Sequence, residues 1–162
     1  MGRFLYLMRH GRAKPGRGTD DFTRPLSTIG IQAVQWQRDR FKEPSGIRPD
    51  CILCSTAKRA RETADILKGL FIGTPVFYRE SLYLAPAFRI IGVLNEMDEV
   101  FRRILVIGHH PGLEQTIGLL TRPENRQNLT PGDCAVLYLN SLDWRSLEPG
   151  CGRIEKIFSV PF

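Results

Sequence analysis

The sequence lacks any apolar run close to the roughly 20 residues that a membrane-spanning helix requires. It also lacks a basic N-terminal stretch followed by an apolar core and a small-residue cleavage site, the pattern of a secretory signal. These absences predict a cytoplasmic protein without a membrane partner. With 42% hydrophobic and 25% charged residues, the composition excludes a disordered chain. The length predicts one domain over residues 1–162.

Cysteine is scarce, with four residues in the chain: Cys51, Cys54, Cys134 and Cys151. Cys51 and Cys54 have the spacing of a redox motif or of half a zinc site. They lie inside an apolar run, however, where a strand would direct the two thiols to opposite faces of a sheet. We therefore expect buried free cysteines and no metal site at this pair.

Negative charge is in the minority, because 23 Lys and Arg against 17 Asp and Glu give a formal net charge of +6. This balance fits an anionic partner such as a nucleic acid, an acidic membrane face or a phosphorylated substrate. The basic residues are scattered, without a basic run and without the interleaved aromatic residues of RNA-binding segments. We expect no nucleic-acid partner, and charge alone does not choose between the other two kinds of anionic partner.

Alternating strand and helix patterns predict an α/β fold. Apolar segments bounded by turn residues predict strands at 3–8, 50–55, 75–78, 103–108, 134–140 and 153–159. Amphipathic segments predict helices at 28–42, 57–71, 86–99 and 112–121. This order is typical of a three-layer structure with a mostly parallel central sheet and helices on both faces. The short connection 141–152 predicts an antiparallel edge formed by the last two strands.

The three histidines all follow predicted strands. His10 comes directly after strand 3–8, and His109 and His110 come directly after strand 103–108. Open α/β sheets bind ligands outside the carboxyl ends of their strands, so this placement predicts a functional site there. The irregular segment 11–27 begins at His10 and is long for a compact domain, so we expect it to lie over the site.

The residues around His10 suit phosphoryl transfer. A neutral imidazole is a competent nucleophile toward phosphorus, and the neighbouring Arg9 offers forked donors to phosphate oxygens. Gly11 has no side chain to block the approach.

A second basic element follows the second predicted strand. Ser55 or Thr56 is expected to cap a helix that begins near Ala57, which places Arg59 in the first turn. The helix dipole disfavours a cation there, so Arg59 indicates an anion held between its guanidinium group and the helix N-terminus.

His109 is expected to face the same phosphate from the side opposite His10. One imidazole would attack in line, while the other, protonated, would help to neutralise the equatorial oxygens. Metal binding is the competing use of His109 and His110. We expect no metal, because adjacent side chains diverge and no Asp, Glu or Cys cluster accompanies them at ligand spacing.

Three ordered motifs resemble the histidine phosphatase (phosphoglycerate mutase-like) superfamily. They are Arg9-His10-Gly11, Ser55-x-x-x-Arg59-Ala60-x-x-Thr63 and Gly108-His109. Within that superfamily the chain is similar, over essentially its whole length, to the SixA-type phosphohistidine phosphatases. Segments 21–30, 80–86 and 109–114 carry this closer similarity.

The resemblance implies a role for each matching residue. His10 would become transiently phosphorylated, while Arg9, Arg59 and His109 would complete the catalytic phosphate pocket. Arg24 would be a further substrate contact, and His110 stays outside the core set. The implied activity is a metal-independent phosphatase without a cofactor, acting on phosphohistidine of a phosphorylated protein.

One feature of the superfamily is not evident in this chain. Its mutases and many of its acid phosphatases carry a glutamate general acid shortly after a leucine that follows the third strand. Here Leu82 is followed by Tyr83 and Leu84, with Glu80 before it. An imidazole leaving group needs less protonation than an alkoxide, so the missing acid favours phosphohistidine. Tyr83, Glu80 and Asp21 remain candidates for the proton donor.

Two alternatives stay open. The first is a phosphatase of the same superfamily that acts on small phosphate esters. The second is a phosphoprotein-binding module that retains the pocket without turnover.

Overall fold

A six-stranded mixed sheet forms the centre of the structure, a computed structural model that describes residues 2–162. The strands are β1 (Arg3–Arg9), β2 (Cys51–Ser55), β3 (Val76–Arg79), β4 (Arg103–Gly108), β5 (Cys134–Leu139) and β6 (Gly152–Phe158). The helices are α1 (Thr28–Phe41), α2 (Lys58–Lys68), α3 (Ala87–Asn95) and α4 (Gly112–Leu120). Short 3₁₀ turns lie at Asp21–Thr23, Glu80–Leu82 and Pro123–Asn125.

The strand order is β3-β2-β4-β1-β5-β6. The pairs β2–β3, β2–β4 and β1–β4 are parallel, whereas β1–β5 and β5–β6 are antiparallel. The predicted mostly parallel sheet and its antiparallel edge are therefore confirmed. The order also makes β2, β4 and β1 direct neighbours, which brings their carboxyl ends together.

Alternating side chains of the strands divide the core into two layers. Leu5 and Leu7 of β1 pack with residues of α3 and α4, whereas Tyr6 and Met8 pack with residues of α1 and α2. Helices therefore cover both faces of the sheet in opposite pairs, which confirms the predicted three-layer α/β arrangement. None of the helices in residues 2–162 is long and apolar enough to cross a membrane.

The cysteine pair in β2 follows the same alternation. Cys51 belongs to the core layer of α3 and α4, and Cys54 belongs to the layer of α1 and α2. Both thiols are free, and burial raises the pKa of each to about 12. The interpretation of this pair as buried free cysteines is confirmed.

Helix α3 ends four residues earlier than the pattern predicts, at Asn95 rather than 99. The Asp98 carboxylate accepts a hydrogen bond from the Val100 backbone N–H. This local turn competes with the helix, as aspartate side chains commonly do, and it leads the chain toward β4.

Gly112, the first residue of α4, allows a close approach between the helix and the segment after β3. A Cβ atom at this position would lie 1.8 Å from the carbonyl oxygen of Ala85. Gly118 of the same helix is also buried, but a Cβ there would meet its nearest neighbour, the Arg126 Cβ, at 3.5 Å. Only the first glycine is therefore required by contact with the backbone.

Replacement of these two glycines should separate contact from helix propensity. Gly112→Ala is expected to lower the free energy of unfolding by more than about 2 kcal/mol, because helix and backbone must move apart. Gly118→Ala should leave it unchanged or raise it by up to about 1 kcal/mol, because alanine favours the helix. Urea unfolding measures both, and similar values for the two variants would contradict the contact argument.

Candidate active site

The site lies where three neighbouring parallel strands end. Ser55 ends β2, Gly108 ends β4 and Arg9 ends β1, with Arg9 directly opposite Gly108 in the β1–β4 register. The segments that follow these strands carry Arg59, His109 and His10. The side chains predicted from separate strand ends therefore converge.

His10 is buried and held in one tautomer. Its Nδ1 lies 2.7 Å from the carbonyl oxygen of Gly11, and its Nε2 lies 3.1 Å from the Nε of Arg59. A carbonyl oxygen only accepts hydrogen bonds, so Nδ1 carries the hydrogen and donates it. Nε2 then holds the lone pair, accepts from the guanidinium group and is the nitrogen available for attack on phosphorus.

His109 is held in the opposite tautomer. The Arg59 Nη2 atom donates toward its Nδ1 at 3.4 Å, and its Nε2 lies 2.7 Å from the Ser55 Oγ. Because guanidinium groups only donate, Nδ1 of His109 accepts and Nε2 donates to the serine. The ring centroids of His10 and His109 are 5.1 Å apart.

The predicted helix cap at Ser55 or Thr56 is wrong. Helix α2 begins at Lys58, after Ala57, and no side chain caps its N-terminus. The Ser55 hydroxyl bonds the His109 ring and accepts from the Ala57 backbone N–H at 3.3 Å. Its position as the last residue of β2 places it inside the site rather than at the helix end.

Arg59 links the two histidines to the segment 11–27. Besides its contacts with both rings, this buried side chain donates to the Asp21 carbonyl oxygen at 2.8 Å and to the Asp21 carboxylate at 3.1 Å. Segment 11–27 therefore lies over the site, as its length predicts.

Asp21 gathers several side chains at the mouth of the site. Its carboxylate accepts hydrogen bonds from the Tyr83 hydroxyl, Arg24 and Arg59. The Tyr83 hydrogen bond, with further help from the two guanidinium groups, lowers the pKa of Asp21 to about 2. The carboxylate is therefore ionised at neutral pH and holds the segment by charge.

A cavity of about 240 Å³ opens above the two rings. Its lining residues are Arg9, His10, Arg12, Ala13, Arg24, Arg59, Leu84, His109, His110 and Pro131. Seven of these ten are Arg or His and none is acidic, so the cavity suits a small anion with several oxygen atoms. In residues 2–162, no three His, Cys, Asp or Glu side chains form a group that could hold a metal ion.

Burial keeps both facing imidazoles neutral. It lowers the pKa of His10 to about 4 and that of His109 to about 3, and the positive charges of Arg59 and Arg9 act in the same direction. The predicted protonated His109 therefore does not describe this arrangement at neutral pH. Protonation would require a nearby anion, whose charge favours the imidazolium form.

The candidates for the proton donor lie outside the cavity lining. Asp21 and Tyr83 bond each other, and Glu80 is exposed on the 3₁₀ turn that follows β3. His110, which the resemblance places outside the core set, does line the cavity and bonds Glu114. The sequence signal for this pair is the spacing of four residues between His110 and Glu114, which places both side chains on one face at the start of a helix.

Comparison with known proteins gives a family and a fold. The model of the histidine phosphatase superfamily (branch 1) matches residues 5–83. The Mycobacterium tuberculosis protein Rv1276c is 31% identical over 168 residues, which cover 95% of this chain and 99% of that protein. The matched region contains the His10 strand end and the Arg59 helix.

Solved structures extend the similarity across the chain. A SixA-type protein from Nakamurella multipartitia has a TM-score of 0.88 at 24% identity, covering 100% of this chain and 98% of that one. The protein histidine phosphatase SixA in complex with tungstate has a TM-score of 0.80 at 23% identity, covering 96% of each chain. A mycobacterial glucosyl-3-phosphoglycerate phosphatase reaches 0.72 at 17% identity, covering 96% and 98%.

These structural neighbours share the three-layer fold described above and include phosphatases with different substrates. The family model matches the segment that contains His10 and Arg59, and the chain belongs to the histidine phosphatase superfamily.

Proposed function

We propose that the protein is a phosphohistidine phosphatase that acts on phosphorylated proteins through a phosphorylated His10. The observation that carries this proposal is the tautomer of His10. Its Nδ1 is fixed on the Gly11 carbonyl, so Nε2 presents a lone pair beside Arg59 in a cavity lined by basic groups.

In the first step, Nε2 of His10 attacks phosphorus in line with the bond to the leaving group. The P–N bond to His10 forms as the bond to the leaving group breaks. Arg59 exchanges its hydrogen bond with Nε2 for phosphate oxygens, and Arg9 and Arg24 supply further donors. His109 contacts the same oxygens, takes a proton from solvent because the anion favours the charged ring, and releases it when phosphate leaves.

In the second step, water attacks the phosphorus of phosphorylated His10. The P–N bond breaks, its electron pair returns to Nε2, and inorganic phosphate leaves. The positively charged groups that stabilised the first transition state serve the second one in the same way. No metal or cofactor enters either step.

The nature of the leaving group distinguishes a phosphohistidine from an ester. Residues 80–84 bring no carboxyl group to the cavity lining, and an imidazole leaving group, which accepts a proton more readily than an alkoxide, does not need a carboxylic acid at that place. Leu84 and His110 at the cavity rim are exposed, which leaves room for a phosphorylated side chain on another protein.

A phosphatase for small phosphate esters is the second candidate. The cavity offers four arginines and three histidines to a phosphate group. Contacts with phosphate oxygens do not distinguish the group to which the phosphate is attached. Hydrolysis of a metabolite would need the same His10 chemistry.

A phosphorylated intermediate should be trapped on His10. After brief incubation with substrate and quenching in base, we expect an acid-labile, base-stable phosphate on His10. His10→Ala should abolish this phosphate and lower turnover by more than about 1000-fold, while Arg17→Ala, an exposed change in the same segment, should keep both. Turnover that survives in His10→Ala would contradict the mechanism, and a phosphate-binding protein without turnover would show no trapped phosphate.

A substrate panel in excess chelator should separate the two candidates. We expect kcat/KM for a phosphohistidine-bearing carrier protein to exceed that for sugar phosphates and other phosphorylated metabolites by at least about 100-fold, or about 2.7 kcal/mol. A preference for one metabolite would favour the ester phosphatase. Loss of turnover in chelator would contradict a metal-independent reaction.

Ring ¹⁵N chemical shifts should report the tautomers and their response to an anion. At pH 5.5 we expect both rings neutral, with hydrogen on Nδ1 of His10 and on Nε2 of His109, because both pKa values lie below this pH. Added tungstate should raise the pKa of His109 and protonate it, because an anion favours the charged ring. His10→Gln and His109→Gln assign the signals, and two rings protonated without tungstate would contradict the arrangement.

A further inference from the structure

His110 and Glu114 form a hydrogen-bonded pair beside the phosphate cavity. Nδ1 of His110 bonds the Glu114 carboxylate across one turn at the start of α4, and the His110 ring lines the cavity. The carboxylate fixes hydrogen on Nδ1, so Nε2 points away from Glu114. Within residues 2–162, no hydrogen bond engages Nε2 of His110.

The Glu114 carboxylate is buried, although apolar packing alone does not favour a carboxylate in the interior. Its side chain is 2% exposed, and its Oε1 has no hydrogen-bond partner among the described residues. A buried carboxylate without full pairing is costly. Its electrostatic partners are His110 and, at longer range, Arg9, which lines the same cavity. The carboxylate therefore lies behind the cavity wall and orients a ring within that wall.

The other groups that could supply a proton are engaged elsewhere. Asp21 is ionised and bonded to Arg59, Arg24 and Tyr83, while the Tyr83 hydroxyl is committed to Asp21. His109 donates its Nε2 hydrogen to Ser55. Among the cavity-lining residues, His110 combines a partly exposed ring, 47% accessible, with an uncommitted nitrogen.

We propose that His110 is the proton donor to the leaving group and that Glu114 is its positioning residue. This inference rests on the proposed function and adds the group that the segment after β3 does not supply. A carboxylate that holds the far nitrogen of a catalytic imidazole is a recurring arrangement for proton transfer, because it fixes ring orientation and tautomer.

The proton moves in a closed cycle. His110 starts as an imidazolium, with the hydrogen on Nδ1 bonded to Glu114 and a second hydrogen on Nε2. In the first step Nε2 of His10 bonds to phosphorus, the bond from phosphorus to the leaving atom breaks with its electron pair on that atom, and the proton on Nε2 of His110 moves to it. In the second step water attacks phosphorylated His10 and gives a proton to Nε2 of His110. The products are the protonated leaving group and inorganic phosphate, and His110 returns to its starting state.

Two aryl phosphates with different leaving groups test this role. Phenyl phosphate releases a strongly basic oxygen that needs a proton, whereas 2,4-dinitrophenyl phosphate releases a weakly basic one that does not. We expect His110→Gln to lower kcat/KM by about 100-fold for phenyl phosphate and by less than about threefold for the dinitrophenyl ester. Glu114→Gln should lower kcat/KM for phenyl phosphate by about tenfold and leave that for the dinitrophenyl ester nearly unchanged. The control Glu124→Gln, at an exposed position, should match the wild-type protein with both esters.

The ratio of kcat/KM for phenyl phosphate to kcat/KM for the dinitrophenyl ester does not depend on how much of a variant is folded. Partial misfolding therefore leaves the test valid. Equal losses for the two esters, or no loss for either, would overturn the role of His110 while leaving the His10 mechanism intact. Absence of turnover in the unchanged protein with both esters and with phosphohistidine would overturn the proposed function and this inference together.

Discussion

The site depends on one buried guanidinium group. Arg59 donates to Nε2 of His10, to Nδ1 of His109 and to two oxygens of Asp21. A guanidinium group stays charged at any accessible pH, so burying it demands acceptors, and two neutral imidazoles with one carboxylate meet that demand. The same hydrogen bonds fix which nitrogen of each ring carries the hydrogen. A lysine at this position would offer a single point of charge and could not hold the three partners in a planar fork.

The fold supplies this arrangement through strand order. Because β2, β4 and β1 are parallel neighbours, residues at their ends lie within side-chain reach of one another although they are far apart in sequence. The close contact of Gly112 with Ala85 brings the start of α4 against the segment after β3. The cavity wall formed by His110 and Leu84 is therefore set by backbone packing on one side and by the Asp21 contacts on the other.

The sequence predicted the fold class and the meeting of His10, Arg59 and His109, because apolar runs and the residues that end them depend on local pattern. It did not predict the partner of Ser55, because that depends on the β2–β4 register and on the direction of one side chain. A local rule favoured a helix cap, and a long-range contact with His109 replaced it. The early end of α3 has a similar origin. The spacing of apolar residues predicts a helix from its period of 3.6 residues, and it does not reveal a single turn formed by the Asp98 side chain.

The electrostatics of the site connect binding with chemistry. Without an anion, burial and neighbouring arginines keep His10 and His109 neutral, which preserves the lone pair of the proposed nucleophile but leaves no positive imidazole beside it. In the mechanism that we propose, a phosphate dianion reverses the sign of the local field and favours a proton on His109, the ring that does not attack. The two rings differ because the Gly11 carbonyl holds the hydrogen of His10 on Nδ1 and leaves its lone pair on Nε2, whereas the lone pair of His109 lies on Nδ1, where it accepts from Arg59. Under the proposed function, binding of the substrate's own charge thus completes the positive site that stabilises its transition state.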